Sequence, residues 1–335
     1  MTVTLSLADV DDLTQRALIA SKTSEANARS VTASVVASEA EGIHSHGLAR
    51  LPTYCEHARC GKIDGHATPT AEQAGAAVIR VDACDGFAHP AIDLGFETFL
   101  PLAREAGIAA MPVTNSYNCG VVGYHVERIA EAGLVALAFV NAPASIAPWG
   151  GTKAVFGTNP VACAVPRDGQ LPLVIDQSSS VVAKSEVIVH AQKEEPIPEG
   201  WALDRHGNPT TDPKVALDGG TMVPAGAYKG AGIALIVEIM AAALTGATLS
   251  LDASSFADNS GGPPRTGQLF IAMNPTVLGG EGFGARVGAL FGAITGQEGA
   301  RLPGDRRLAA RERTAKEGIT IRKALHERLL GYCVA

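Results

Sequence analysis

The stretch that decides the fold class runs from Val78 to Val140, VIRVDACDGFAHPAIDLGFETFLPLAREAGIAAMPVTNSYNCGVVGYHVERIAEAGLVALAFV. Val78-Ile79-Arg80-Val81-Asp82 alternates apolar and polar side chains, the two-residue period of a half-buried strand. Pro90 to Ala106 reads as a helix, Ile108 to Val113 as a second short strand and His125 to Glu131 as part of another helix. Leu134 to Val140 is an almost unbroken apolar run, which suits a buried strand. Strand, helix, strand, helix, strand is the order of an α/β unit.

Upstream, Leu7 to Glu41 reads as two helices. Ser24 is an N-cap, Glu25 complements the helix dipole, and Ala28, Val31 and Val35 recur at helical spacing until Gly42. Downstream, Val161 to Val165 and Leu173 to Ile175 are short strands, and Glu194 to Pro213 is a polar excursion rich in turn residues. Gly230 to Thr245 predicts a helix, Gln268 to Met273 a strand, and the tail from Gly280 more helix. The expected organisation is a helical domain built from both ends (residues 1–75 and 276–335) around a mixed α/β cofactor-binding domain (76–275).

The chain has 335 residues, 46% of them hydrophobic and 18% charged, with a formal net charge of -7. That balance fits a globular protein and argues against nonspecific nucleic-acid binding, which needs a basic face. Arg306, Arg307, Arg311 and Arg313 form a local basic cluster, read as a solvated helix face. The most apolar window, Ile233 to Leu244, holds Glu238 and is too short to span a bilayer. The six cysteines have no CxxC spacing, so free thiols and a cytoplasmic location are expected.

The chemistry concentrates at His44-Ser45-His46-Gly47 with Arg50. Imidazole exchanges a proton near neutral pH, and guanidinium grips a carboxylate through two parallel hydrogen bonds. A metal site would need ligands beyond His44 and His46, and the other histidines show no ligand-like spacing, so no metal is expected. No GxGxxG turn is present: Gly230-Ala231-Gly232 lacks the third glycine, and the glycines from 279 to 284 are wrongly spaced. Asn115 to Gly120 follows a strand and precedes a helix, a place where backbone N–H groups can hold phosphate.

These motifs in this order resemble the type 2 malate/L-lactate dehydrogenase family, over nearly the whole chain. The resemblance rests on Ser45-His46-Gly47 with Arg50, Asn115-Ser116, Gly157-Thr158-Asn159-Pro160, Gly200 to Asp204, Lys229-Gly230, Glu238 and Arg301-Leu302-Pro303-Gly304. Within the family the chain looks most like the Δ1-piperideine-2-carboxylate/Δ1-pyrroline-2-carboxylate reductases. The matching stretches are Arg80 to Ala88, Leu217 to Gly220, Thr266 to Leu269 and Leu302 to Arg307, together with the acidic Glu186.

The resemblance implies a specialised non-Rossmann α/β fold and a homodimer. It implies that His46 donates a proton, with Ser45 orienting or relaying it and Glu186 assisting. It places Arg50 on the substrate carboxylate and Thr158 on the substrate. It lays Asn118, Cys119, Gly120, Val121, Val122, Asp176, Gln177, Ser178, Lys184, Ser185 and Lys229 along a nicotinamide cofactor, with Ala300, Arg301, Leu302, Pro303, Gly304, Asp305 and Arg306. The chain departs from the family at Asn118 and Tyr228, where histidine is usual. The expected cofactor is NADPH, with NADH the alternative, and the expected substrate a cyclic imino acid or 2-keto acid. A malate/L-lactate-type hydroxyacid dehydrogenase is one alternative, and a noncatalytic or metal-binding protein on the same scaffold is another.

Overall fold

The computed structural model describes residues 1–334, without the side chain of Ser185. Strand β1 (Thr2–Leu5) leads into α1 (Leu7–Ile19) through a capping box: the Ser6 hydroxyl accepts from the Asp9 N–H, and the Asp9 carboxylate accepts from the Ser6 N–H. Helix α2 (Glu25–Ala40) is capped by Ser24, as its sequence predicts. A single 3-10 turn, His44–His46, then precedes α3 (Leu51–Arg59).

The α/β unit follows. It comprises β2 (Thr70–Gly75), β3 (Val78–Asp82), α4 (Ala88–Ala106), β4 (Ile108–Ser116), α5 (Val122–Glu131), β5 (Val135–Val140), β6 (Val161–Arg167) and β7 (Gln170–Gln177). Beyond it come α6 (Lys184–Lys193), β8 (Ala202–Leu203), β9 (Pro209–Thr210), α7 (Pro213–Leu217) and β10 (Thr221–Met222). The 194–213 excursion is thus pinned by a small sheet of order β10-β8-β9. Helix α8 (Tyr228–Glu238) passes into a π-helical turn, Ile239–Ala243, before β11 (Thr266–Met273). The tail contains α9 (Pro275–Gly279), α10 (Phe283–Thr295), α11 (Asp305–Glu317), β12 (Ile319–Arg322) and α12 (Lys323–Tyr332).

The main sheet has the order β2-β3-β4-β11-β5-β6-β7. Only β3 and β4 pair in parallel, because α4 crosses over between them; the other pairs are antiparallel. The late strand β11 enters the centre of the sheet, between β4 and β5. One apolar core packs α4 and α5 on this sheet through Ile92, Phe96, Phe99, Val126, Ile129, Met111 and Phe270. A second core joins the two ends of the chain: Val10, Leu18, Val31, Leu51 and Tyr54 bury against Ile319, Ile321 and Leu329. The tail is therefore not helix throughout: Ile319–Arg322 pairs antiparallel with Thr2–Leu5. Among the described residues, no helix is long and apolar enough to cross a membrane.

Candidate active site

A cleft of about 1240 Å³ opens along one edge of the main sheet. It is lined by residues following β4, β5 and β7 and preceding β6. The His46 turn closes it on one side and the segment before α11 on another.

The His46 turn is held by a buried acid. The Glu39 carboxylate, on the last turn of α2, accepts from His44 Nδ1 at 2.6 Å and from the Leu48 N–H at 2.7 Å. Its side chain is 1% exposed. The hydrogen bond to Glu39 raises the pKa of His44. Gly47 is required for space, since its φ is −92°. A Cβ there would lie 2.1 Å from Glu39 Oε1. Ser45 Oγ sits 3.1 Å from His46 Nδ1, which leaves Nε2 for the cleft. Burial, then the neighbouring Arg50 cation, lowers His46 to about 4, so the free imidazole is neutral at pH 7.

Arg50 caps the start of α3, and its guanidinium lies 5.7 Å from the centre of the Phe256 ring. Its buried Nε has no protein partner. Nearby, Asn118 Oδ1 accepts from the Tyr54 hydroxyl at 2.9 Å and from the Gly120 N–H at 3.2 Å. The buried Asn118 Nδ2 is left without a protein acceptor. A buried donor without an acceptor is costly, so a cleft bordered by two such donors suits an anionic, oxygen-bearing ligand.

The rest of the cleft is built from loops tied to one another. The Thr158 carbonyl accepts from Ser178 Oγ and the Asn159 carbonyl from Ser179 Oγ. Asn159 Nδ2 donates to the buried Glu238, which also accepts the N–H and hydroxyl of Ser250. Asp176, raised in pKa chiefly by burial, accepts the Gly123 N–H at 2.7 Å. A Cβ on Gly123 would lie 2.6 Å from the Arg307 guanidinium and 3.2 Å from Asp176, so a side chain there would push Arg307 aside. Helix α5 starts there without a side-chain cap, and Arg301, Arg306 and Arg307 line the same cleft. An uncapped helix start beside guanidinium groups fits the phosphates of a dinucleotide.

The structure brings together on this cleft Ser45, His46, Arg50, Thr158, Asn118 to Val122, Asp176 to Ser178, Lys184, Arg301, Pro303, Gly304 and Arg306. Leu302 is buried, and its N–H donates to Asp305, which fixes the turn that bears these arginines. Ala300 and Lys229 are exposed and do not line the cleft. Glu186 is exposed in the first turn of α6, also off the cleft wall. The Ser185 side chain lies outside the described residues. Sequence reading missed Glu39, Phe256 and the part Arg307 plays here; only Arg307, adjacent to Arg306, had a local signal. Among the described residues, no three His, Cys, Asp or Glu side chains converge to hold a metal.

A mixed sheet without a glycine-rich dinucleotide turn, bearing a His–Ser–Arg corner and a cationic groove, defines a family. The chain belongs to the malate/L-lactate dehydrogenase family, whose profile matches residues 5–330. It is 46% identical to a (2R)-3-sulfolactate dehydrogenase (NADP(+)) of Chromohalobacter salexigens, over 99% of this chain and 98% of the relative. It is 38% identical to a Δ1-pyrroline-2-carboxylate/Δ1-piperideine-2-carboxylate reductase of Pseudomonas syringae pv. tomato, over 98% and 96%. The crystal structure of Δ1-piperideine-2-carboxylate reductase from that organism superposes with a TM-score of 0.93 at 37% identity, covering 98% of this chain and 99% of that one.

Proposed function

We propose that the protein reduces cyclic 2-imino acids with NADPH, taking Δ1-piperideine-2-carboxylate to L-pipecolate or Δ1-pyrroline-2-carboxylate to L-proline. One observation carries the reading: His46 and Arg50 line the same cleft as the uncapped start of α5 and the 301–307 arginines. Bound reduced nicotinamide supplies the hydride. Arg50 holds the substrate carboxylate, so that the adjacent C=N carbon faces the reductant at attack distance. His46 gives a proton from Nε2 to the ring nitrogen, while Ser45 fixes its other nitrogen. Carboxylate binding neutralises Arg50, one of the two causes that lower His46, and so helps it take up the proton it delivers.

The single cation beside Phe256 suits a monoanionic ring. The relatives at 37–39% identity support the imino acid. The sulfolactate dehydrogenase at 46% favours a second reading, oxidation of a 2-hydroxy acid by the same His46 and Arg50. NADPH is supported by the arginines of the cleft and by that NADP(+)-dependent relative. A homodimer is supported by the apolar face that α8 leaves open, Ile233, Leu235, Ile236 and Ile239, of which Ile236 is 52% exposed. The two apolar cores support a division near the expected helical and sheet domains.

Initial-rate NADPH oxidation with pyrroline-2-carboxylate, piperideine-2-carboxylate, sulfopyruvate, pyruvate and oxaloacetate tests the reading. Turnover of the cyclic imines, reduced ~10²–10⁴-fold in kcat by His46→Ala, is expected. Turnover of the keto acids alone overturns the imine assignment.

A further inference from the structure

Lys62 is a buried cation that the chemistry above does not use. Its side chain is fully enclosed, 2% exposed, yet among the described residues no carboxylate pairs with it. Its ammonium instead donates to three backbone carbonyls, those of Ser255 at 2.5 Å, Asp258 at 2.9 Å and Ser260 at 2.6 Å. An ammonium carries three N–H donors, so the set is complete. All three acceptors lie in the irregular segment 244–265, between the π-helical turn and β11. A structureless connection of this length is uncommon inside a compact domain unless it serves a site.

This one does serve the site. Leu251, Ala253, Ser255, Phe256 and Ala257 line the cleft, and Phe256 packs on Arg50 and, at 4.9 Å between ring centres, on Tyr117. The ends of the segment are held elsewhere, by Ser250 on Glu238 and by the Arg265–Asp85 ion pair. The other side-chain ties of its middle, such as the Ser254 hydroxyl to the Gly262 carbonyl and the Ala257 N–H to Ser255 Oγ, stay within the loop. Lys62 reaches it from just beyond the C-terminal end of α3, whose start bears Arg50. Removing the ammonium leaves three inward-facing carbonyls without donors, an arrangement of oxygen ligands that suits a monovalent cation.

We propose that Lys62 is a positioning residue for substrate selection: a tethered cation that gathers the carbonyls of residues 255, 258 and 260 and so seats Phe256 against the carboxylate anchor. The substrate part rests on the reading of Arg50 as that anchor; the loop part does not. In Lys62→Ala the loop loosens, and free ammonium or potassium ion restores it by entering the vacated carbonyl cage.

The test has two readouts on the full-length protein. Hydrogen–deuterium exchange of residues 251–262 requires no turnover. It is expected to quicken in Lys62→Ala and to return toward the parent rate in ammonium chloride, but not in choline chloride of equal ionic strength. KM for the carboxylate substrate is expected to rise at least about tenfold, the scale of one charged hydrogen-bond donor, with kcat changing less, and to recover with the same ion. Lys62→Met keeps the apolar stem and fills the space; it is expected to loosen the loop without rescue, and it serves if the alanine variant does not fold. Parent-like exchange in both variants overturns the proposal, and quickened exchange that ammonium and potassium leave unchanged overturns the cation cage. Rescued exchange with unchanged KM keeps the clamp and overturns the role in substrate selection.

Discussion

Gly47→Ala offers a sharp test of how the proton donor is held. The new methyl carbon would stand 2.1 Å from Glu39 Oε1, 2.5 Å from Cδ and 2.6 Å from Cγ. Ordinary contact requires roughly 3.5 Å or more, so the carboxylate and the turn must part by more than 1 Å. Glu39 has nowhere free to go, being buried and engaged by His44 and the Leu48 N–H. Losing those two contacts costs on the order of 2–5 kcal/mol, counting an unpaired buried N–H and a charged hydrogen bond. A displacement of that size at the His46 turn also lowers kcat by about 10²-fold. Urea unfolding and initial rates measure the two effects. Gly61→Ala is the control: nothing lies within 4 Å of its added carbon, and its positive φ of 82° costs only about 1 kcal/mol. In Glu39→Ala the obstruction is gone, so adding Gly47→Ala to it should cost little more, a coupling visible in a double-mutant cycle. A Gly47→Ala enzyme with parental unfolding midpoint and kcat would refute the account.

Arg50→Lys should raise KM for the carboxylate substrate by about 10–100-fold, because a point charge replaces a two-pronged donor; unchanged KM would remove Arg50 from the anchor role. With His46 lowered to about 4, the oxidative direction, which needs neutral imidazole, should hold its kcat/KM from pH 8 down to about pH 5. The reductive kcat/KM should keep climbing over the same descent, and an inflection near 6.5 in either profile would contradict this. Burial also lowers His57 and His89 to about 4. The native state then binds fewer protons than the unfolded chain between pH 4 and 6.5, so their stabilisation is full above 6.5 and lost as pH falls. The slope is ~1.4 kcal/mol per pH unit for each histidine. His46 adds to this effect, His44, raised by its hydrogen bond to Glu39, opposes it, and Asp176, raised by burial, opposes it at lower pH. Three lowered histidines against one raised leave a net loss at pH 5. A urea midpoint at pH 5 equal to that at pH 7 would show that these histidines are not buried neutral.

What the sequence disclosed, and what it hid, follow from the range of the forces involved. Ser24, the alternation at Val78–Asp82 and the apolar run ending at Val140 act over a few residues, and each element formed where its pattern lies. The placement of β11 between β4 and β5 is a long-range pairing that no local period encodes. Ile319–Arg322 sits between two helices and is a strand only because Thr2–Leu5 supplies its partner. At the cleft, the motif residues on the His46 turn and the 118–122 loop could be read directly, helped by the family resemblance. Glu39, Phe256 and Lys62 could not: each matters through a partner that is close in space but reached through tertiary structure. Gly47 was visible as a letter of the motif, while the reason for it, a carboxylate crowded against its Cα, became apparent only with the fold.

The antiparallel pairing of Thr2–Leu5 with Ile319–Arg322 bears on how the polypeptide is made. A ribosome releases the first strand long before its mate exists, an interval of roughly half a minute at ordinary elongation rates. The first helices must therefore wait, half-assembled and with apolar side chains uncovered, for the last segment of the nascent chain. Any truncation that removes β12 takes away the partner strand of Thr2–Leu5 and the apolar cover that Ile319 and Ile321 give the first helices.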